Sequence, residues 1–407
     1  MKKKLEIEQN QIEAPYELPE GWKWIKQNEV CKLTDGEKLS GIEYPYLEVK
    51  YLRGTKEKVF QSSGKFVIKG TKVILVDGEN SGEVFSVPED GFMGSTFKAL
   101  SIQNVNEKYL QLFITTKKDL YRNNKKGSAI PHLNKELFFN MPFPLPPTLD
   151  EQQRIVNRIE SMFAKLDEAK EKVQNVVDSF ETRKAAILHQ AFTNKLKIEN
   201  GKLKDEDWVE SKLGEICEVT SSKRVYQTEQ TSSGIPFLRI ADIMCKIQNK
   251  DVFPELFISA ERYKKLQSQN LVPKENEILV TSRGTLGKCY LIKKDDMFYF
   301  QDGMISWLKN IDRNISSQYL IYLFQSKEIT NQIEEMQNGS TVNYLSISML
   351  KKISIPIPPL NFQLSIVNFL DAVLEKERTA KEAAENVLEQ IDLLKKSILA
   401  RAFRGEL

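Results

Sequence analysis

The sequence predicts an α+β protein: two mixed α/β domains joined and separated by two long helices that form an antiparallel intramolecular coiled coil with pseudo-two-fold symmetry. Three observations lead there. The chain is a tandem duplication, each copy ends in a sustained heptad pattern, and the rest alternates short β-branched runs with helical stretches.

The duplication is clearest at the ends of the copies. Ile155–Leu196 aligns without a gap on Ile366–Leu407, and 15 of these 42 positions are identical. Upstream, Gly127-Ser128…Leu133…Pro146-Pro147 reappears as Gly339-Ser340…Leu345…Pro358-Pro359. Fainter anchors are Trp22…Cys31…Thr34 with Trp208…Cys217…Thr220, and Pro45-Tyr46-Leu47 with Pro236-Phe237-Leu238. The offset grows from 186 to 212 along these anchors, so the second copy carries 26 extra residues. The resulting organisation is a tail (1–20), a first variable domain (21–147), a central preserved helical region (148–198), a second variable domain (199–359) and a C-terminal preserved helical region (360–407).

Composition bounds what such a chain can be. Its 407 residues suffice for two to three domains, and 41% apolar with 28% charged residues is a globular balance. Fifty-nine basic against 56 acidic residues exclude a histone-like polycation but leave room for local phosphate-binding patches. No apolar run reaches the ~18–20 residues of a membrane span. The charged start, Met1-Lys2-Lys3-Lys4, lacks the apolar core of a signal peptide. Cys31, Cys217, Cys245 and Cys289 are widely spaced, as reduced thiols would be, so a cytoplasmic protein is expected.

In the variable domains, Lys72–Val76 and Glu277–Val280 read as strands. They run into the Gly-containing loops Asp77–Gly82 and Thr281–Gly287, and Ser317–Glu335 reads as helix. Asn200-Gly201-Lys202 reads as the turn into the second domain.

The preserved regions read as helices of about 45 residues, roughly 65–70 Å long at ~1.5 Å per residue. After Pro146-Pro147, Thr148 or Asp150 can cap the first, with Glu151 completing a capping box on Thr148; after Pro358-Pro359, Asn361 is the expected cap. The first seam runs through Ile155, Ile159, Met162, Leu166, Ala169, Val173, Val176, Phe180, Arg183 and Ile187. The second runs through Ile366, Leu370, Val373, Glu377, Ala380, Ala384, Val387, Ile391, Leu394 and Ile398. A 3.5-residue period over five heptads is a coiled-coil seam. A dimerisation coil between chains would use the same pattern, but one chain already carries both partners. Each seam holds one charge, Arg183 and Glu377. Antiparallel pairing with these two opposed places Met162 on Ile398, Leu166 on Leu394, Ala169 on Ile391 and Val173 on Val387. It also sets Val176 on Ala384, Phe180 on Ala380 and Ile187 on Val373. A slip of one heptad would strand both charges, at about 3–5 kcal/mol if well buried.

Catalytic patterns are missing. There is no phosphate loop, no dinucleotide fingerprint, no zincin or nucleophile-elbow motif, and two histidines cannot build a repeated triad or His-based metal site. Asp77 and Glu79 read as a solvated loop pair. Polar loops that could touch DNA are more evident. Arg122, Asn124, Lys125, Lys126 and Ser128 form one; Ser340, Thr341 and Asn343 form its counterpart. Arg283 with Thr285 and Arg53 with Lys56 supply two more candidates. Arginine and lysine suit phosphates and guanine edges, asparagine suits adenine. A solvated surface loop is the plain alternative for each.

Two variable domains, each followed by a Pro-Pro-initiated preserved helix, resemble the specificity subunit of type I restriction–modification systems. The resemblance rests on Trp22 and Trp208, the two Gly-Ser…Leu segments, Glu151-Gln152…Ile155-Val156, Gln363…Ile366-Val367 and the terminal Ala402-Phe403-Arg404-Gly405-Glu406-Leu407. Phe362 departs from the acidic residue usual before Gln363, and Asn194 stands where the second copy has Gly405. The resemblance implies a non-catalytic scaffold whose two target-recognition domains each read half of a bipartite site in double-stranded DNA. The helix pair would set the spacer between the halves. It also implies two modification (methyltransferase) subunits and restriction (motor–nuclease) subunits as partners, which would carry S-adenosylmethionine, ATP and Mg²⁺. The alternatives are a detached specificity portion of a fused methyltransferase–nuclease, and a coiled-coil adaptor whose heads bind something other than DNA.

Overall fold

The computed structural model describes residues 14–127, 131–193, 208–337 and 343–407. The chain divides into two compact units, one made of residues 1–174 with 385–407 and the other of residues 175–384. Each unit therefore holds one variable domain and a stretch of both preserved regions.

The duplicated sequence folds twice along the same path. In the first unit an antiparallel four-stranded sheet has the order Cys31–Thr34, Phe97–Ile102, Lys72–Leu75, Val84–Ser86. In the second the order is Glu218–Ser221, Ile305–Lys309, Ile278–Thr281, Cys289–Leu291. The strand entering each domain pairs antiparallel with the Pro-containing strand leaving it: Lys23–Lys26 with Pro142–Leu145, and Val209–Lys212 with Ser354–Ile357. Proline is tolerated there because the ladders have only two strands and the free edge needs no donor. The parallel contact of Tyr46-Leu47 with Phe92-Met93 recurs as Phe237-Leu238 with Tyr299-Phe300. Most of the second copy's growth lies between these parallel strands. The first domain has there the Phe60–Val67 strand of a small closed barrel; the second has the helices Ile240–Ile247 and Ala260–Ser268.

The preserved regions cross between copies to complete the cores. In the first unit Ile155, Val156 and Ile159 are buried together with Leu399, Ala402 and Phe403. The Phe403 ring lies 5.0 Å from that of Tyr109 and 5.3 Å from that of Phe113. In the second unit Leu188, Ala191 and Phe192 join Ile366, Val367 and Leu370, with Phe192 at 5.4 Å from Tyr319. A polar interlock accompanies each. The buried Gln152 accepts the backbone N–H of Asn106 at 2.7 Å, and the buried Gln363 accepts that of Ser316 at 2.8 Å. Asn106 and Ser316 are themselves N-caps of the helices Glu107–Thr116 and Ser317–Leu323.

Within each unit the preserved helices run antiparallel. Lys170 bonds Asp392 at 2.7 Å and Lys395 bonds Asp167, two contacts whose position numbers share one sum. In the second unit Arg183 Nε reaches Glu377 Oε2 at 2.8 Å. The expected single helix of 45 residues is in the first copy two helices, Leu149–Asp178 and Phe180–Phe192. At the break the Ser179 hydroxyl donates to the Val176 carbonyl at 3.0 Å and Arg183 Nη1 donates to it at 3.3 Å, so side chains share an acceptor of the interrupted ladder. The second copy is continuous over Leu360–Phe403.

Several seam assignments need correcting. Val176, Val387, Leu394 and Ala380 are exposed, not core. Their neighbours Val177, Leu388, Lys395 and Lys381 are half-buried in their place. A straight α-helix drifts about 20° per heptad against a 3.5-residue repeat, so the buried stripe walks one position along. Two lysines are accepted in that stripe because their stems lie across rings: Lys381 Nζ sits 4.8 Å from the Phe180 ring and Lys395 Nζ 5.1 Å from the Phe163 ring. The other named seam residues are buried or half-buried.

The caps also differ from expectation. Thr148 Oγ1 does accept the Glu151 N–H at 3.1 Å, but the Glu151 carboxylate turns to Arg154 in two bonds of 2.8 Å instead of closing the box. Asn361 lies inside the first turn, since that helix begins at Leu360 and its Phe362 N–H bonds the Pro359 carbonyl. The Ser317–Glu335 pattern is two helices, Ser317–Leu323 and Lys327–Gln337, interrupted where the Ser326 hydroxyl donates to the Leu323 carbonyl at 2.7 Å. Residues 14–20, assigned to a tail, are docked. Tyr16 OH donates to the Phe403 carbonyl at 2.9 Å, and Trp24 Nε1 donates to the Tyr16 carbonyl at 3.2 Å. The Asn200–Lys202 turn and Asn194 lie outside the described residues.

Candidate nucleic-acid interface

In both domains the third strand of the four-stranded sheet ends in a polar loop held against the segment that follows the Gly-Ser motif. The Leu133 N–H donates to the Val76 carbonyl at 2.7 Å, and the Leu345 N–H donates to the Ser282 carbonyl at 3.0 Å. Isolated bridges flank these bonds, Asp77 with His132 in the first domain and Arg283 with Tyr344 in the second. Gly82 and Gly287 close the two loops at φ +97° and +70°. A Cβ on Gly82 would stand 2.9 Å from Tyr121, and one on Gly287 2.7 Å from Ile333. Two stretches distant in sequence thus share one surface in each domain.

The first surface gathers three candidate groups around the loop Asp77–Glu83. Lys125 Nζ bonds Glu79 Oε2 at 2.6 Å, with its side chain only 16% exposed. Hydrogen bonding from this ammonium holds the Glu79 carboxyl below its ordinary pKa, and the Arg122 charge adds to the effect. Arg53 bonds Glu83 and lies 5.9 Å over the Phe85 ring. Lys118 approaches the same Glu83 at 3.5 Å. Lys126 pairs with Glu136 at 3.1 Å, while Lys56 pairs with Glu48 farther back. Four of the cations singled out as phosphate contacts therefore carry carboxylate partners that phosphates would have to displace. Arg122 and Asn124 are exposed, the latter anchored through Nδ2 to the Leu120 carbonyl at 2.9 Å. Ser128 lies outside the described residues.

The second surface is less compensated. Arg283 is exposed, makes no ion pair among the described residues, and is oriented by the Tyr344 ring 5.2 Å from its guanidinium carbon. Thr285 is exposed, and its carbonyl accepts the Thr281 hydroxyl at 2.5 Å, which ties the loop across its neck. Asn343 is exposed beside Tyr344. Ser340 and Thr341 lie outside the described residues. A guanidinium stacked on an aromatic face keeps its donors free and its plane fixed, as bidentate recognition of a base edge or phosphate requires.

The residues not foreseen as a unit are Asp77 and His132, which meet at 2.6 Å between Oδ1 and Nδ1. They occupy the positions of Arg283 and Tyr344, so one scaffold point presents a carboxylate–imidazole pair in one domain and a guanidinium–phenol pair in the other. The alignment of His132 with Tyr344 was available from sequence; the partnership with loops some 55 residues upstream was not.

No group of three or more His, Cys, Asp or Glu with metal-holding geometry occurs among the described residues, and no described helix is long and apolar enough to cross a membrane. Cys31 and Cys217 are buried thiols, pushed by desolvation up to about 12, and each donates to a carbonyl four residues back.

Comparison with known proteins agrees with the duplicated architecture. The model of the type I restriction modification DNA specificity domain matches residues 19–178 and 205–390. The chain is 26% identical to the type I restriction enzyme MjaVIII specificity subunit of Methanocaldococcus jannaschii, over 96% of this chain and 94% of that one. It is 21% identical to the EcoBI specificity subunit of Escherichia coli, over 98% and 89%. Among solved structures, a chain of a type I restriction–modification assembly superposes with TM-score 0.75 at 19% identity, covering 97% of this chain and all of that one. The HsdS subunit from Thermoanaerobacter tengcongensis gives 0.60 at 19% identity, covering 98% and 100%. With the matched domain present twice and most of the sequence inside it, the chain belongs to the type I restriction–modification DNA specificity family.

Proposed function

We propose that this chain is the DNA-reading subunit of a type I restriction–modification complex, each domain recognising one half of a bipartite, non-palindromic site. The observation that carries this is the duplicated loop junction, built on one scaffold but presenting Asp77–His132 in one copy and Arg283–Tyr344 in the other. Equal scaffolds with unequal polar tips are what two different half-sites demand of a duplicated reader. A good bidentate contact discriminates between bases by about 1–3 kcal/mol in the major groove. The antiparallel helices would set the unread spacer. The domains would run as residues 21–147 and 199–359, with 148–198 and 360–407 as the preserved regions.

Catalysis belongs, in this reading, to partners: two modification subunits that bind S-adenosylmethionine, and restriction subunits that bind ATP and Mg²⁺. The cofactors of catalysis would sit on these partners and none on this chain, which would act in the cytoplasm. Relatives of similar length named as specificity subunits favour this over a detached portion of a fused methyltransferase–nuclease. Exchange of residues 21–147 for a related domain, followed by methylome sequencing with the modification subunit present, tests it. One half of the methylated motif should change while the other half and the spacer persist; a change in both halves would refute the two-reader arrangement.

A further inference from the structure

The first unit contains a cavity of about 530 Å³ between the segment Thr115–Arg122 and the end of the C-terminal helix. Lys117, Lys118, Arg122, Lys396 and Arg404 line it, against one carboxylate, Asp119. Seven other cations of the same unit are neutralised instead: Arg53, Lys56, Lys58, Lys65, Lys98, Lys125 and Lys126 all have a carboxylate within ion-pair distance. Of the five cations here only Lys118 has one among the described residues, at 3.5 Å to Glu83. Lys117 is half-buried over the Phe113 ring, and desolvation lowers its ammonium pKa because no anion compensates it. The walls include Tyr16 and Phe403, with Arg404 placed 5.5 Å over the Tyr16 ring.

The duplication supplies a control. At the equivalent place in the second unit a cavity of about 730 Å³ is lined by Glu181, Glu328, His189 and Lys327. His189 there bonds Glu328 and corresponds to Ala400 of the first cavity. The groove is thus a product of the fold, whereas the concentrated positive charge is particular to the first copy. A surface serving identical partners on both halves would have no reason to differ in sign.

We propose that the first-unit cavity binds a small polyphosphate-bearing molecule, its phosphates held by Lys117, Arg122, Lys396 and Arg404 and its apolar part against Tyr16. Four to five cations facing one carboxylate match the charge of a triphosphate, and the volume accommodates a molecule of nucleotide size. This inference goes beyond DNA reading and does not depend on it.

The test is calorimetric titration of the full chain with ATP and, separately, with inorganic tripolyphosphate, in magnesium-free buffer. Both should bind at one site and compete. Lys117→Met combined with Lys396→Met should weaken both at least tenfold, and Lys396→Glu alone should weaken them if the double variant fails to fold. Lys327→Met in the counterpart cavity should leave the affinity unchanged. Absence of binding to the wild-type chain, or binding insensitive to these substitutions, overturns the proposal. So does a result in which only a short duplex DNA responds to the variants, since the groove would then hold backbone phosphates. Half-site recognition, measured independently by methylome sequencing, would survive either failure.

Discussion

Arg183 Nε donates to Glu377 Oε2 at 2.8 Å across the antiparallel helices of the second unit, with both side chains partly shielded. In the aligned copies Arg183 corresponds to Leu394 and Glu377 to Leu166, and since Leu394 is exposed the first unit has no buried counterpart of this pair. Arg183 also donates to the Val176 carbonyl beside the helix break, which gives it a second task.

Partial exposure limits the worth of this pair. Replacement of either residue by leucine should cost about 1 kcal/mol after allowance for solvent screening, and the double replacement should recover part of it. Arg183→Leu should cost more than Glu377→Leu because it also withdraws a donor from the interrupted ladder. Denaturant unfolding of the four chains of a double-mutant cycle measures this; strict additivity would mean the two charges do not interact.

Gln152→Ala and Gln363→Ala should each destabilise the chain by about 1–3 kcal/mol. Either substitution leaves a shielded N-cap N–H, of Asn106 or Ser316, without its acceptor. Both glutamines are buried, so water cannot readily substitute. Thermal melts should show losses of similar size at the two positions, and an unchanged midpoint would disprove the interlock.

Gly405→Ala should loosen the docking of residues 14–20. A Cβ at Gly405 would stand 2.1 Å from Pro19 Cγ, closer than any real contact, and the proline ring cannot rotate away. Hydrogen exchange should accelerate at Trp22 and Trp24, whose strand region follows that segment, while the second unit's protection stays unchanged.

For DNA, Arg283→Ala should weaken binding and reduce the salt slope by about one, the loss of one phosphate-type contact, or relax one base position if the contact is to a base. Lys125→Ala with Lys126→Ala should have a smaller effect than two free lysines would, because Glu79 and Glu136 neutralise them beforehand. Glu79→Gln should then strengthen binding by releasing Lys125. A salt-titrated affinity series with all three variants decides the matter, and a neutral Glu79→Gln would show that Lys125 does not face the duplex.

Acid should act at Asp35, whose carboxyl lies at about 2 instead of its ordinary 3.8, mainly through hydrogen bonds from Lys65 and then Lys98. A depressed folded-state pKa contributes stability above the unfolded value, and the contribution fades as pH falls from about 4 to about 2. Its exposure keeps the contribution well below 1 kcal/mol. Asp35→Asn should flatten the stability profile in that window alone, as a pH series of denaturation midpoints would reveal.

The sequence alone determined the duplication, the order of its parts, the antiparallel pairing of the preserved helices and the opposition of Arg183 to Glu377. These depend on identity between copies and on a period of apolar residues, which are written locally along the chain. Tertiary structure decided what local pattern cannot express. The buried stripe moved from Val387 and Leu394 to Leu388 and Lys395 because helix geometry drifts against a heptad repeat and lysine stems can cover aromatic rings. The fate of Arg53, Lys125 and Lys126 was decided by Glu83, Glu79 and Glu136, carboxylates brought near by the fold, and charge at a site is the sum over spatial neighbours. Only folding, too, seats Phe403 from the end of the chain in the core of the first domain, since burial rewards contact regardless of distance along the sequence.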